Sequence, residues 1–100
     1  MRSWRILVDE AEVNEVVVVT DYADLFVVQR DPGADPGPTD WEATLVSRER
    51  IHLAPGLYEL GLRTPGAPRL VGRAHLRFSD GNRHLFRGDA VLEGLAAALG

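Results

Sequence analysis

The sequence contains no cysteine and no lysine. The first absence excludes a disulfide framework, thiolate metal ligands and a thiol nucleophile, and gives no sign of an oxidising compartment. The second makes all 11 basic residues arginine. Genome composition alone can produce that bias, but arginine also suits planar, bidentate contacts with carboxylates and phosphates. Long apolar runs are missing too. The first ten residues, MRSWRILVDE, hold three consecutive apolar residues before Asp9, so neither a signal peptide nor a membrane span is expected. The chain reads as soluble and cytoplasmic. Aromatic residues make up only 7%, which leaves few rings for stacking on nucleic-acid bases.

What is present fits one small domain over residues 1–100, a length that buries on the order of 65% of the surface of the unfolded chain. The net charge is −4, but the halves differ. Residues 1–50 carry 5 Arg against 11 acids, and residues 51–100 carry 6 Arg against 4. Net acidity argues against non-specific nucleic-acid binding; the asymmetry points either to complementarity within the fold or to a basic face for an acidic partner.

The most regular stretch runs from Arg69 to Asn82, RLVGRAHLRFSDGN. Leu70, Gly72, Ala74, Leu76 and Phe78 alternate with Arg69, Val71, Arg73, His75 and Arg77, which predicts a strand with one apolar and one Arg-rich face. Asp80-Gly81 then signals a hairpin. A three-residue turn, pairing Leu76 with His84 and Ala74 with Phe86, is expected over a two-residue turn, because it keeps Arg83 and Arg87 out of the core. Upstream, Leu57–Arg63 is expected to pair with this strand. If Leu62 faces Leu70, then Tyr58 faces Ala74 and covers Gly72, Glu59 faces Arg73, and Arg63 faces Arg69.

Other strands are predicted over Trp4–Val8, Val13–Thr20 and Leu25–Arg30, with a turn at Asp21–Asp24 preferred over one long bent strand across Tyr22. Trp41–Leu53 alternates, with a break near Ser47–Arg50. Residues 31–40, DPGADPGPTD, hold three Pro, two Gly and three Asp and predict a surface loop. From Asp89 the pattern changes to a helix over 89–99, capped by Asp89, with Val91, Leu92, Leu95 and Leu99 as its apolar stripe and Gly94 as its weak point. The expected fold is mainly β: a small antiparallel meander of six to seven strands, barrel- or roll-like, with one C-terminal α-helix.

For function, the outward group Arg69, Arg73, His75, Arg77, Arg83 and Arg87 is the best candidate, as clustered guanidinium groups bind carboxylate or phosphate oxygens. An ordinary solvated sheet face is the competing account. A metal site from His52, His75 and His84 is not expected, since His75 and His84 point to opposite faces. A Ser47–His–Asp triad lacks any flanking elbow or oxyanion loop. Arg87-Gly88-Asp89 reads as a bend followed by a cap rather than as an adhesion tripeptide, and the proline-rich loop lacks a polyproline-ligand core.

The leading expectation is a non-enzymatic protein-interaction module, accessory or regulatory, using its Arg-rich face or an exposed strand edge against an acidic protein, with no cofactor and no membrane partner. The alternative is a small barrel binding an anionic small molecule or single-stranded nucleic acid, with Trp4, Tyr22 or Trp41 stacking if exposed. An enzyme ranks third. Self-association is conceivable through the C-terminal helix or a strand edge.

Overall fold

A computed structural model describes residues 2–29 and 39–99. Eight strands form one antiparallel sheet: β1 (Arg2–Leu7), β2 (Glu10–Val13), β3 (Val16–Val18), β4 (Thr20–Gln29), β5 (Thr39–Ser47), β6 (Leu57–Arg63), β7 (Leu70–Ser79) and β8 (Arg83–Gly88), followed by the short helical segment α1 (Leu95–Leu99). Their order across the sheet is β1-β4-β5-β8-β7-β6-β2-β3. The ladder is not closed into a barrel; it ends at β1 and β3. The structure is compact, with a Cα radius of gyration of 13.1 Å. No helix among the described residues is long and apolar enough to cross a membrane.

Eight strands replace the expected six or seven because one long hairpin is kinked. Its arms are β1–β2 and β3–β4, joined at Asn14-Glu15, where both residues have positive φ (50° and 67°). That is the backbone of a two-residue hairpin turn, and its twist matches the flanking strands. The turn expected at Asp21–Asp24 is therefore absent, and β4 continues through Tyr22 with an irregularity at Asp21. Asn14 is the better turn former because its side chain tolerates the left-handed region and accepts a hydrogen bond from the Glu59 backbone N–H at 2.9 Å. At the kink, the Val8 N–H donates to the Ala23 carbonyl (2.9 Å) and the Asp9 N–H to the Arg63 carbonyl (2.8 Å). One arm thus contacts β4 with its first half and β6 with its second.

The expected register of β6 and β7 is observed: Leu62 opposite Leu70, Tyr58 opposite Ala74 and Glu59 opposite Arg73. Inward side chains of the sheet form one cluster in which Leu25, Leu45, Leu60, Leu62, Leu70 and Phe86 are fully buried, each contributing about 1.5–3 kcal/mol. Tyr58 does not cover Gly72; it meets Phe86 edge-on, with centroids 5.8 Å apart. The ring over Gly72 is that of Trp41, which also lies across Gly88, so that a Cβ at either glycine would collide with the indole. The Trp41 Nε1–H donates to the Ala90 carbonyl at 2.8 Å.

Two further expectations are corrected. The β7–β8 hairpin adopts neither weighed register: Ser79 faces His84, Phe78 faces Leu85 and Leu76 faces Phe86, with an irregularity at Arg77. Such a bulge reverses inside and outside along the strand, so Phe78 turns outward and is 51% exposed. The cause lies in the turn, where Asp80 Oδ1 accepts from the backbone N–H groups of Asn82 (3.0 Å) and Arg83 (2.8 Å) and holds a four-residue connection. The expected 89–99 helix is reduced to Leu95–Leu99. Glu93 instead bridges Val71 through two backbone hydrogen bonds (2.8 and 3.2 Å), and Gly94 breaks the path at φ +89°. Within the expected stripe Leu92 and Leu95 are buried, but Val91 is fully in solvent. Of the 31–40 loop, Thr39 and Asp40 belong to β5 and the remainder lies outside the described residues.

Candidate interaction surface

The alternation of β7 and β8 does carry the arginines to the outer face, but local chemistry divides them. Arg69 precedes β7 and crosses Gly61, where a Cβ would strike its guanidinium, to place Nε 2.8 Å from Glu12 Oε2. Arg73 Nε lies 3.3 Å from Asp89 Oδ2, and His75 Nε2 lies 3.2 Å from Asp89 Oδ1. Asp89 is therefore no helix cap; it sits between two side chains of the predicted site. Such exposed pairs each contribute at most about 1 kcal/mol, yet they engage half of the expected cluster. Arg77 stands at the bulge, Arg83 faces Val46, and Arg87 lies between Glu42 and His75. Among the described residues no ion pair joins these three to a carboxylate.

The outer face also carries apolar groups that the sequence pattern assigned elsewhere. Phe78 pairs with Leu85 across β7 and β8, and Tyr22 pairs with Val46 across β4 and β5. The Tyr22 hydroxyl donates to Asp24 Oδ2 at 2.6 Å; this hydrogen bond to the neutral phenol raises its pKa above the usual value. Arg5 lies over the Phe26 ring, 5.4 Å from its centroid, with Nε 3.8 Å from Asp24. Of the rings considered for stacking, Trp41 is buried and Trp4 packs half-buried against the core, leaving Tyr22 exposed.

A second constellation lies inside. His84, 1% exposed, places Nε2 3.1 Å from Ser47 Oγ and Nδ1 2.8 Å from Ser79 Oγ. Ser47 has one hydroxyl proton, and its nearest acceptor is the Glu49 carbonyl at 2.7 Å. The network then assigns the remaining bonds: Nε2–H donates to Ser47, and the Ser79 hydroxyl donates to Nδ1. That is a neutral imidazole. Desolvation by burial holds its pKa below the ordinary value, partly opposed by Asp80. In this assignment Nε2 donates to Ser47, the reverse of the arrangement in an activated serine. The group instead ties the end of β5 to the 79–84 turn, where the Asn82 amide donates to the Ser47 carbonyl (3.1 Å) and the Ile51 N–H to the Gly81 carbonyl (2.7 Å). The parity reversal at Arg77 is what turns Ser79 inward to meet His84, and no local sequence signal marks that bulge.

His52 and His75 are exposed; among the described residues no group of three His, Cys, Asp or Glu side chains could hold a metal ion. No family model matches the chain, and no curated protein or solved structure is significantly similar to it.

Proposed function

We propose that the chain is a non-enzymatic protein-interaction module, an accessory or regulatory subunit of the cytoplasm that engages an acidic protein through its outer sheet face and an open strand edge. The observation that supports this reading is the set Arg77, Arg83 and Arg87, which form no ion pair among the described residues and share their face with the exposed Phe78. Arginine beside an aromatic ring is the composition that dominates interface energetics. In this reading the curled sheet acts as a roll pinned at Val8-Asp9, and the C-terminal segment from Leu92 to Leu95 plugs its interior.

The competing reading, single-stranded nucleic acid or an anionic small molecule, draws on Tyr22 and Phe78, whose rings are open to solvent on the same face. Glu42 and Asp24 on that face and the net charge of −4 oppose it. One experiment separates the two. Fluorescence anisotropy at low salt is measured with labelled acidic peptides and with a mixed-sequence oligonucleotide, using the wild type and the Arg83→Glu/Arg87→Glu variant. The expected result is salt-sensitive binding of acidic peptide that the double variant loses while its circular dichroism is unchanged. Preferential binding of the oligonucleotide, lost in the same variant, establishes the competing reading.

A further inference from the structure

Among the described residues, β1 is the longest stretch of backbone that the sheet leaves unpaired on one side. It pairs only with β4, from Arg2 opposite Gln29 to Leu7 opposite Asp24, and among the described residues no other backbone hydrogen bond involves Arg2–Leu7. In an antiparallel ladder successive residues direct their N–H and C=O groups to alternate sides, so every second residue of β1 presents a donor and an acceptor that no described residue pairs. The other end of the sheet is blunted. β3 has three residues, and the Val19 carbonyl beyond it already accepts from the Arg48 N–H at 3.0 Å.

From this geometry we infer that β1 accepts an extended segment of a partner protein as an added strand, and that the segment alternates apolar with acidic residues. The inference rests on the protein-interaction reading and names the edge and the chemistry it recognises. On the inner side Trp4 and Ile6 pack against the core while remaining half-buried. Apolar side chains of an added strand would lie beside them and complete their burial. On the outer side Arg5 has a 65% exposed side chain that lies over the Phe26 ring and makes a long contact with Asp24, so acidic side chains on alternate positions of the new strand meet it.

A second copy of this chain fits the edge less well. Pairing two β1 strands antiparallel with inner faces aligned brings Arg5 opposite the partner's equivalent arginine, or two positions from it, and like charges at those distances repel.

The test uses the whole chain and a labelled peptide of alternating Val and Glu with solubilising Gly-Ser ends, followed by anisotropy. Two further peptides carry N-methyl groups on alternate amides, one on each edge of the extended chain. Expected are binding by the unmodified peptide, its loss when one edge is methylated and its retention when the other is, and binding about tenfold weaker in Arg5→Glu. Arg83→Glu/Arg87→Glu removes the part of acidic-peptide binding that the outer face contributes, while the difference between the two methylated peptides persists in it. Loss in that double variant with no effect of methylation overturns the β1 assignment while the interaction reading stands. Absence of binding by any acidic peptide overturns both, and concentration-dependent self-association that competes with the unmodified peptide replaces the partner strand with a second copy. Should Arg5→Glu not fold, the methylated peptides alone decide.

Discussion

The strands β5, β8 and β7 are closed at their two ends by opposite chemistry. At one end the Trp41 indole lies over Gly88 and Gly72, a lane of backbone kept bare by two missing side chains. At the other, His84 is wedged between Ser47 and Ser79 and joins strand to turn through hydrogen bonds. Both plugs are almost completely buried. The apolar plug derives its stability from contact area and shape, so it is sensitive to volume and indifferent to pH. The polar plug depends on the protonation state of one ring, so it tolerates little change in either donors or pH. A small sheet can thus be sealed by either route, with different vulnerabilities at each end.

The largest expected effect is at the apolar end. Trp41→Ala is expected to destabilise the fold by about 3–5 kcal/mol through lost burial and the cavity left behind. Gly88→Ala, which adds one methyl group into the indole, is expected to cost about 1–3 kcal/mol. Urea unfolding followed by circular dichroism measures both, and neither variant should alter the pH dependence of stability. A Gly88→Ala protein as stable as the wild type would show that the indole can move aside, and the contrast between the two ends would fail.

At the polar end, His84→Ala is expected to cost about 1–3 kcal/mol because it removes the partner of two inward hydroxyls. The sharper measurement is pH. His84 has a folded-state pKa below its ordinary value of 6.5, with burial as the leading cause. Between the folded and unfolded pKa values the unfolded chain binds more protons, so stability rises with pH across that window. The His84 contribution is present above pH 6.5, declines as pH falls below 6.5, and levels off once the folded ring also protonates. His84→Gln should flatten that decline in an acid titration of stability, whereas Trp41→Ala should retain it.

The same division explains how much was legible in the sequence. Leu57–Arg63 and Leu70–Leu76 obey strict two-residue alternation, and one assumed pair, Leu62 with Leu70, brought every other pair of that ladder with it. Alternation is a local rule, and it held where nothing interrupted it. It failed at Arg77, where the bulge is imposed from outside the strand by the Asp80 turn and by the pull of Ser79 toward His84. The Asn14-Glu15 turn was obscured because Glu is an unusual residue at positive φ, whereas Asp21–Asp24 looks like a turn yet is held extended by pairing of Tyr22, Ala23 and Asp24 with β5. The C-terminal helix was misjudged for a related reason: helical spacing over 89–99 competes with an open stretch of β7, and Glu93 pairs with Val71 instead. Of the six expected site residues, all but Arg77 have their direction set by simple parity. That Arg69, Arg73 and His75 would be matched by Glu12 and Asp89 depends on contacts 57, 16 and 14 residues apart, which no local pattern encodes.

The smallest expected effect sharpens the comparison from the outer face. Gly61, like Gly88, is a strand glycine beneath a large side chain, but that side chain is the exposed, flexible guanidinium of Arg69 rather than a buried indole. Gly61→Ala should therefore displace Arg69 and weaken its ion pair with Glu12, a loss of at most about 1 kcal/mol. The methyl group also lowers the entropy of the unfolded chain, which offsets about 0.4–1 kcal/mol. The net change in unfolding midpoint should be close to zero, and Arg69→Ala in the same background should add little more. A Gly61→Ala variant as damaged as Gly88→Ala would mean that Arg69 is held as rigidly as Trp41. The distinction between a volume-sensitive interior and an adaptable outer face would then be lost at the very side chain best placed to display it.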